Sequence, residues 1–400
     1  MSPPAGDLLV RRAGRVVTNA GPAVEGPAAV GVRGGVVAWV GADRDVPRAL
    51  TDAPELDADG ACVVPGFVDP HTHLVWAGSR RAEFEARLSG QRYDAGGIGT
   101  TVAATTAASD NDLLRIAAGR VRAMLANGTT TVEVKTGYGL AADAELRLLD
   151  VVGRLAGTVP ARIEPTFLAH VVPAGADRTA HVAALAEALP EAARRGARWC
   201  DVFCDRGAFD LAETARLLSA ARAAGLGTRL HAEQLTRTGA AVLAAEHGCA
   251  SADHLEHVDE AGARAMAAAN VVGVLLPTAT LSTRGTQWDS ARVLRAAGVR
   301  LALGTDCNPG TSWCESMPYA IQLGCLLLGL TVAEALEAAT RGGAAALCRE
   351  DVGHLGAGAR GDLAVLAAEH EADLVAHLGA PPVRATVVGG VPVTLPLRRS

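Results

Sequence analysis

The stretch RWCDVFCDRGAFDLAETARLLSAARAAGLGTRLHAEQ, residues 198–234, decides the fold. It opens on a β-type run, RWCDVFC at 198–204, and closes on another, GTRLHAEQ at 227–234. Between them a helical face runs from Asp210 through Leu211, Ala215, Leu217, Leu218 and Ala221 to Gly225, at a spacing near the helical period. Strand, helix, strand is the unit of a parallel sheet with crossover helices. The same texture extends outward on both sides. Upstream lie CVVPGFVDPHTH (62–73), TTVEVKTGYG (130–139) and RIEPTFLAH (162–170); downstream lie CASADHLEH (249–257), VVGVLLPTA (271–279) and VRLALGTDCNPG (299–310). A further helical face, Leu113, Leu114, Ala117, Val121, Met124 and Leu125, starts after Ser109–Asp110 and stops at Asn127–Gly128, a cap and a left-handed exit. Eight strand–helix units predict an α/β fold of the (β/α)₈, TIM-barrel type. An open doubly wound sheet competes, but it usually has fewer strands and would not place polar residues at the end of nearly every run.

The bulk properties narrow the class. In 400 residues, 49% are hydrophobic but only 3% aromatic, so Ala, Val, Leu and Gly build the core. Lys+Arg 37 against Asp+Glu 43 gives a net charge of −6 without long runs of one sign, which argues against a nucleic-acid partner. No apolar stretch approaches the roughly 20 residues that cross a membrane. MSPPAGDLLVRR lacks the features of a signal peptide, and eight cysteines without CxxC spacing fit reduced thiols. A cytoplasmic protein is expected. The flanks carry short alternating runs, LLVRRAGRVVT and AVGVRGGVVAWVGA at one end, GDLAVLAA and ATVVGGVPVTL at the other. Residues 1–61 and 351–400 are therefore expected to build one small composite β-sandwich domain, and 62–350 the barrel.

Chemistry-bearing residues gather at the ends of the β-runs. In VDPHTH, His71 and His73 are two apart, so an extended chain turns both to the same side. His231 closes the fifth run, His254 the sixth and Asp306 the eighth. Each alone reads more readily as an ordinary polar rim residue. All would meet at the C-terminal rim, where barrel active sites are assembled. His71, His73, His231 and Asp306 make a three-imidazole, one-carboxylate set that suits one divalent metal ion, zinc or iron. Such an ion lowers the pKa of a water towards neutrality and supplies a nucleophile. Asp306 would also handle the proton, and His254 would orient the water or stabilise the oxyanion.

Taken together, DPHTHLVWAGSR, KTGYGL, TFLAH, HAEQL, SADHLEH and GTDCNPGTS, spread over residues 69–312, resemble the amidohydrolase superfamily and, within it, the imidazolonepropionase family. The β-rich flanks are similar to the composite small domain of that superfamily. The resemblance implies a histidine-degradation hydrolase that opens the cyclic amide of 4-imidazolone-5-propanoate to N-formimidoyl-L-glutamate, and a homodimer. It implies His71, His73, His231 and Asp306 as metal ligands. It implies Arg80, Tyr138, His170, Gln234, Asn308, Gly310 and Thr311 as substrate contacts. Gln234 stands where some members carry Glu, which favours Asp306, assisted by His254, for proton transfer.

Those residue types fit a small substrate with a carboxylate tail. Arg80 offers a forked donor pair to the propionate, though it also stands beside Arg81 and Glu83. Tyr138 can hold the carboxylate or ring, His170 can polarise the ring carbonyl, and the N–H groups of the NPGT turn can face an anion. Another cyclic amidohydrolase or an aminopurine deaminase shares the histidines and Asp306 but has no need of Arg80 with Tyr138. A non-catalytic barrel used for assembly would lack ligands. AGGIGTT at 95–101 lacks the G-K-[ST] ending of a phosphate loop and is expected to be a mobile loop near the pocket. Lys135, the sole lysine, follows the second run rather than the fourth, where a carbamylated lysine would bridge two metals, so one metal is expected. Cys307 has no base nearby and reads as a packing residue.

Overall fold

Gly66 marks the point where the chain passes from one sheet into another. In the computed structural model, which describes residues 5–90 and 97–394, the strands before it are β1 (Leu8–Val16), β2 (Val24–Arg33), β3 (Val36–Ala42), β4 (Glu55–Asp57) and β5 (Cys62–Pro65). The strands after it are β6 (Phe67–Asp69), β7 (Thr129–Lys135), β8 (Arg162–Ala169), β9 (Trp199–Cys204), β10 (Gly227–Ala232), β11 (Ser251–His254), β12 (Val272–Leu275) and β13 (Leu301–Leu303). These eight pair in parallel, each with the next, from β6 round to β13. Last come β14 (Leu363–Leu366), β15 (Val383–Val388) and β16 (Val391–Pro392), which return to the first sheet in the order β16-β15-β14-β5-β1-β2-β3.

The run 62–73 thus divides. β5 pairs with β1 and β14 in the terminal sheet, and only β6 enters the barrel. The boundary expected at residue 62 falls inside the terminal sheet, because proline and glycine at 65 and 66 turn the chain before it can continue in one ladder. Val10, Val30, Val32, Val63, Leu363 and Val365 pack together beneath that sheet. Val391 and Pro392 sit at its edge, where a proline costs no ladder bond.

Alternation along each barrel strand sorts the side chains. Cys200, Val202 and Cys204 of β9, Leu230 and Ala232 of β10, and Ala252 of β11 face the helix layer. Their neighbours Asp201, Arg229, His231 and Asp253 point inward, as a two-residue period requires. The barrel interior is therefore charged, with Asp69, Glu133, Lys135, Asp201, Arg229 and Asp253 all fully buried. Helix boundaries follow their caps: Ser109 accepts from Asp112 N–H at the start of Asp110–Ala126, and Asp210 with Glu213 forms a capping box before Leu211–Ala223. Residues 95 and 96 of the glycine-rich segment lie outside the described residues, but Ile98–Ala107 is helical, not the loop expected there.

The barrel closes through the residues that end its strands. The Asp69 carboxylate accepts from the Thr305 N–H (3.2 Å) and hydroxyl (2.6 Å). Beyond them Asp306 N–H donates to His71 O, and His73 N–H to Cys307 O, each at 3.0 Å. The seam between first and last strand thus holds His71, His73 and Asp306 in fixed register.

Candidate metal centre and substrate cavity

Five side chains from four chain segments converge at that end of the barrel. His71 Nε2 and His73 Nε2 lie 3.3 Å apart, and Asp306 Oδ1 is 3.5 Å from the first and 3.4 Å from the second. The His231 ring centroid is 4.5 Å from that of His71, and the His254 centroid 5.4 Å from that of His231. All five are buried. Donor atoms of His71, His73 and Asp306, and separately of His71, His231 and His254, fall within 4.8 Å of one another. The backbone is unusual here: Asp306, His254 and Glu233 carry φ of +49°, +79° and +54°, left-handed values that a side chain rarely adopts.

Carboxylates fix the outer edge of two of the rings. Asp253 Oδ2 lies 2.6 Å from His71 Nδ1, and Asp201 Oδ1 lies 3.0 Å from His231 Nδ1. Each Nδ1 must carry the proton for that contact, which leaves the lone pair on Nε2. Burial drives His71 well below the ordinary imidazole pKa and His73 down to about 4, so both rings are neutral. Burial alone would raise Asp306, but the hydrogen bond from His73 and the positive field of His254 outweigh it and hold the carboxyl below its usual range. Unprotonated nitrogens facing an ionised carboxylate in a buried space form a donor set that a cation satisfies. The residues present fit a divalent metal.

The cavity beside this cluster is lined by Arg80, Tyr138, His170, Gln234, Asn308 and Thr311. Gly310 is not on its wall; it lies in the adjoining groove. Three expectations change in detail. The Arg80 guanidinium is buried, but its fork grips Glu83, with both Nε and Nη2 at 2.7 Å from carboxylate oxygens. His170 Nδ1 lies 2.9 Å from Gly137 O, and burial presses its pKa to about 3, so the ring is neutral and Nε2 is an acceptor. It suits a substrate N–H rather than a carbonyl oxygen. The Gly310 and Thr311 N–H groups both donate to Asn308 Oδ1 at 2.8 Å, so the turn satisfies its own donors and presents none of them to an anion. Asn308 Nδ2 in turn reaches Asp306 O and Thr311 Oγ1, and the Thr311 hydroxyl lies 3.2 Å from Asp306 Oδ2. The turn braces Asp306.

Several residues of the site are not evident from strand ends. Asp201, Asp253 and Glu133 sit one layer below the histidines, and their signal in the sequence is only that they share the inward parity of β9, β11 and β7. Arg87, also buried, donates to Gly310 O at 2.7 Å and anchors the turn from the helix Arg81–Leu88. Glu256 lies 3.5 Å from His254 Nδ1 and is held by the Thr280 hydroxyl at 2.8 Å.

A parallel eight-stranded barrel with histidines and an aspartate at its C-terminal rim, joined to a sheet from both termini, defines a class of hydrolase. The profile of the Amidohydrolase family matches residues 62–393. The chain is 48% identical over 401 residues to the imidazolonepropionase of Salinispora arenicola, covering 97% of this chain and 99% of that protein. It is 46% identical over 405 residues to that of Myxococcus xanthus, covering 96% of each. The atrazine chlorohydrolase of Arthrobacter aurescens, solved in complex with zinc, shares the fold at a TM-score of 0.74 and 18% identity, over 96% of this chain and 94% of its own. The chain belongs to the amidohydrolase family and, within it, to the imidazolonepropionases.

Proposed function

We infer that the chain is a histidine-degradation hydrolase that opens the cyclic amide of 4-imidazolone-5-propanoate to N-formimidoyl-L-glutamate. His71, His73, His231 and Asp306 would hold one divalent metal ion, zinc or iron, which when bound makes water a nucleophile at neutral pH. The observation that carries this reading is the cluster of neutral imidazole nitrogens facing an ionised Asp306, beside a cavity that holds Arg80 and Tyr138. Water adds to the ring carbonyl carbon; Asp306 Oδ2 takes its proton and returns it to the ring nitrogen as the C–N bond breaks. His254, partnered by Glu256, donates to the developing oxyanion. His170 Nε2 accepts from a ring N–H, Tyr138 and Gln234 orient the ring, and Arg80 receives the propionate. Asn308, Gly310 and Thr311 serve by bracing Asp306 and the cavity wall.

The Arg80 fork is already engaged by Glu83, so the propionate must share or displace that partner. An Arg80→Lys variant keeps the charge but loses the fork, and KM is expected to rise by about tenfold or more. Freshly prepared imidazolone propionate should lose its absorbance on mixing with the purified protein, while aminopurines remain unchanged. Turnover of an aminopurine with no action on the imidazolone would instead make the chain a deaminase. Asp306→Ala is expected to lower kcat by about 10²–10⁴-fold, the range of a positioned acid–base group. We place the protein in the cytoplasm as a homodimer; sedimentation velocity tests the latter. No described helix is long and apolar enough to cross a membrane.

A further inference from the structure

Lys135 ends β7 with its ammonium fully buried beneath the histidine cluster. Nζ lies 2.8 Å from Glu133 Oε1, 2.7 Å from Asp201 Oδ2 and 3.8 Å from Asp253 Oδ2. Asp201 and Asp253 are the carboxylates that fix His231 and His71. Together with a nitrogen of His71 they form a third donor group compact enough to hold a cation. The position is occupied by the protein's own ammonium.

We propose that Lys135 is a positioning residue for the metal centre, a built-in cation that holds Asp201 and Asp253 in the orientation which turns Nε2 of His231 and His71 to the metal. The proposal rests on the metal-site reading above. Both Asp201 oxygens are committed, Oδ2 to Lys135 and Oδ1 to the His231 ring and its backbone N–H. Asp253 Oδ2 is shared among His71, Arg229 (3.0 Å) and the ammonium, while Oδ1 accepts from the Ser251 hydroxyl. Lys135 also reaches the segment that carries His71 and His73. Its backbone N–H donates to Thr72 O at 2.9 Å, between His71 and His73, and its partner Glu133 accepts from Thr72 N–H. Burial opposes the ammonium, but Asp201 and Glu133 outweigh that and raise its pKa above the ordinary lysine value. A protonated amine between two carboxylates has no lone pair for a carbamate, in keeping with a single metal.

Two effects of removing the charge oppose each other. Electrostatics alone would tighten metal binding, because a positive charge leaves the underside of a cation site. Loss of positioning would weaken it, because Asp201 and Glu133 would be left buried without a counterion and would turn or take up protons. The sign of the change in metal affinity therefore decides. Lys135→Met keeps the stem and drops the charge. Zinc affinity, read by competition with a fluorescent chelator, is expected to weaken about 10–100-fold, the effect of losing an outer partner of a metal ligand, with kcat reduced and KM little changed. Asp201→Asn should weaken zinc similarly, and the double variant should lose little beyond either single change. Affinity unchanged or tighter in Lys135→Met, or fully additive losses, would overturn the proposal. If the wild type itself bound no zinc, it is the metal-site reading that would fail.

A measurement on the wild type covers the case in which Lys135→Met does not fold. Lys135 is the only lysine, so [¹⁵N]lysine labelling gives one Nζ resonance. That signal should shift on zinc loading and revert on chelation. A zinc-loaded protein whose Nζ signal does not move would refute the link between the ammonium and the metal centre.

Discussion

His254 differs from the other buried histidines around it. Burial drives His71, His73 and His170 down, whereas in His254 the charges of nearby Glu256 and Asp306 outweigh burial and raise the pKa above 6.5. A group that donates to an oxyanion must be protonated. The donor form is present below the raised pKa and is lost as pH rises through it, so kcat/KM should fall on the alkaline side. Glu256 supplies most of the lift, and Glu256→Gln should move that alkaline limb to lower pH. A pH profile of kcat/KM for both proteins checks this, and a limb that stays in place would assign the titration to another group. The residues of the site were legible in the sequence where chemistry sits at a strand end, as with His71, His231, His254 and Asp306. Glu256 was not, since a glutamate two residues past a strand reads as ordinary rim polarity. Nor was the grip of Glu83 on Arg80: their three-residue spacing is visible, but only packing decides whether the fork faces the cavity or its neighbour.

At the scale of elements, all eight barrel strands fall on the β-type runs of the sequence, β7 starting one residue early at Thr129, because a parallel strand covered by helices must be apolar on its outer face. The sequence pattern does not say which parity points inward, so nothing in it singles out Asp201 and Asp253. The division at Gly66 was hidden for a related reason, as two short buried strands in succession look like one longer strand. Helix packing at the bottom of the barrel was equally illegible. Gly343 opens the short helix Gly343–Ala346, and a Cβ there would fall within hard contact of Val68 O on β6. Helix propensity favours alanine by up to about 1 kcal/mol. Overpacking against a strand that leads directly into His71 and His73 costs about 1–3 kcal/mol. Overpacking should win. Gly343→Ala is expected to lower the melting temperature and to weaken zinc binding with it, whereas a rise in melting temperature would mean that the helix shifts freely.

Across the whole molecule, the terminal sheet and the barrel are joined by a buried ion pair far from the chemistry. Arg162, at the start of β8, directs Nε (2.9 Å) and Nη2 (3.2 Å) to the two oxygens of Asp362, which also accepts from Gly389 N–H at 2.7 Å. The Gly66 N–H donates to the backbone carbonyl of the same aspartate, so one residue binds the crossing point between the sheets, the C-terminal hairpin and the barrel floor. Both side chains are almost fully buried. Removing one partner strands the other charge, and Asp362→Ala should cost about 3–5 kcal/mol in urea unfolding. Replacing both, as Arg162→Met with Asp362→Leu, should cost much less than the sum of the single changes, although the Gly389 N–H still loses its acceptor. β8 begins at the floor and the metal cluster sits at the opposite rim, so kcat per folded molecule should be unchanged in Asp362→Ala while the folded fraction drops. A kcat that fell in parallel with stability would show that the floor and the rim are not independent. The composite sheet would then be part of what holds the strand ends in register, rather than a separate cover on the barrel.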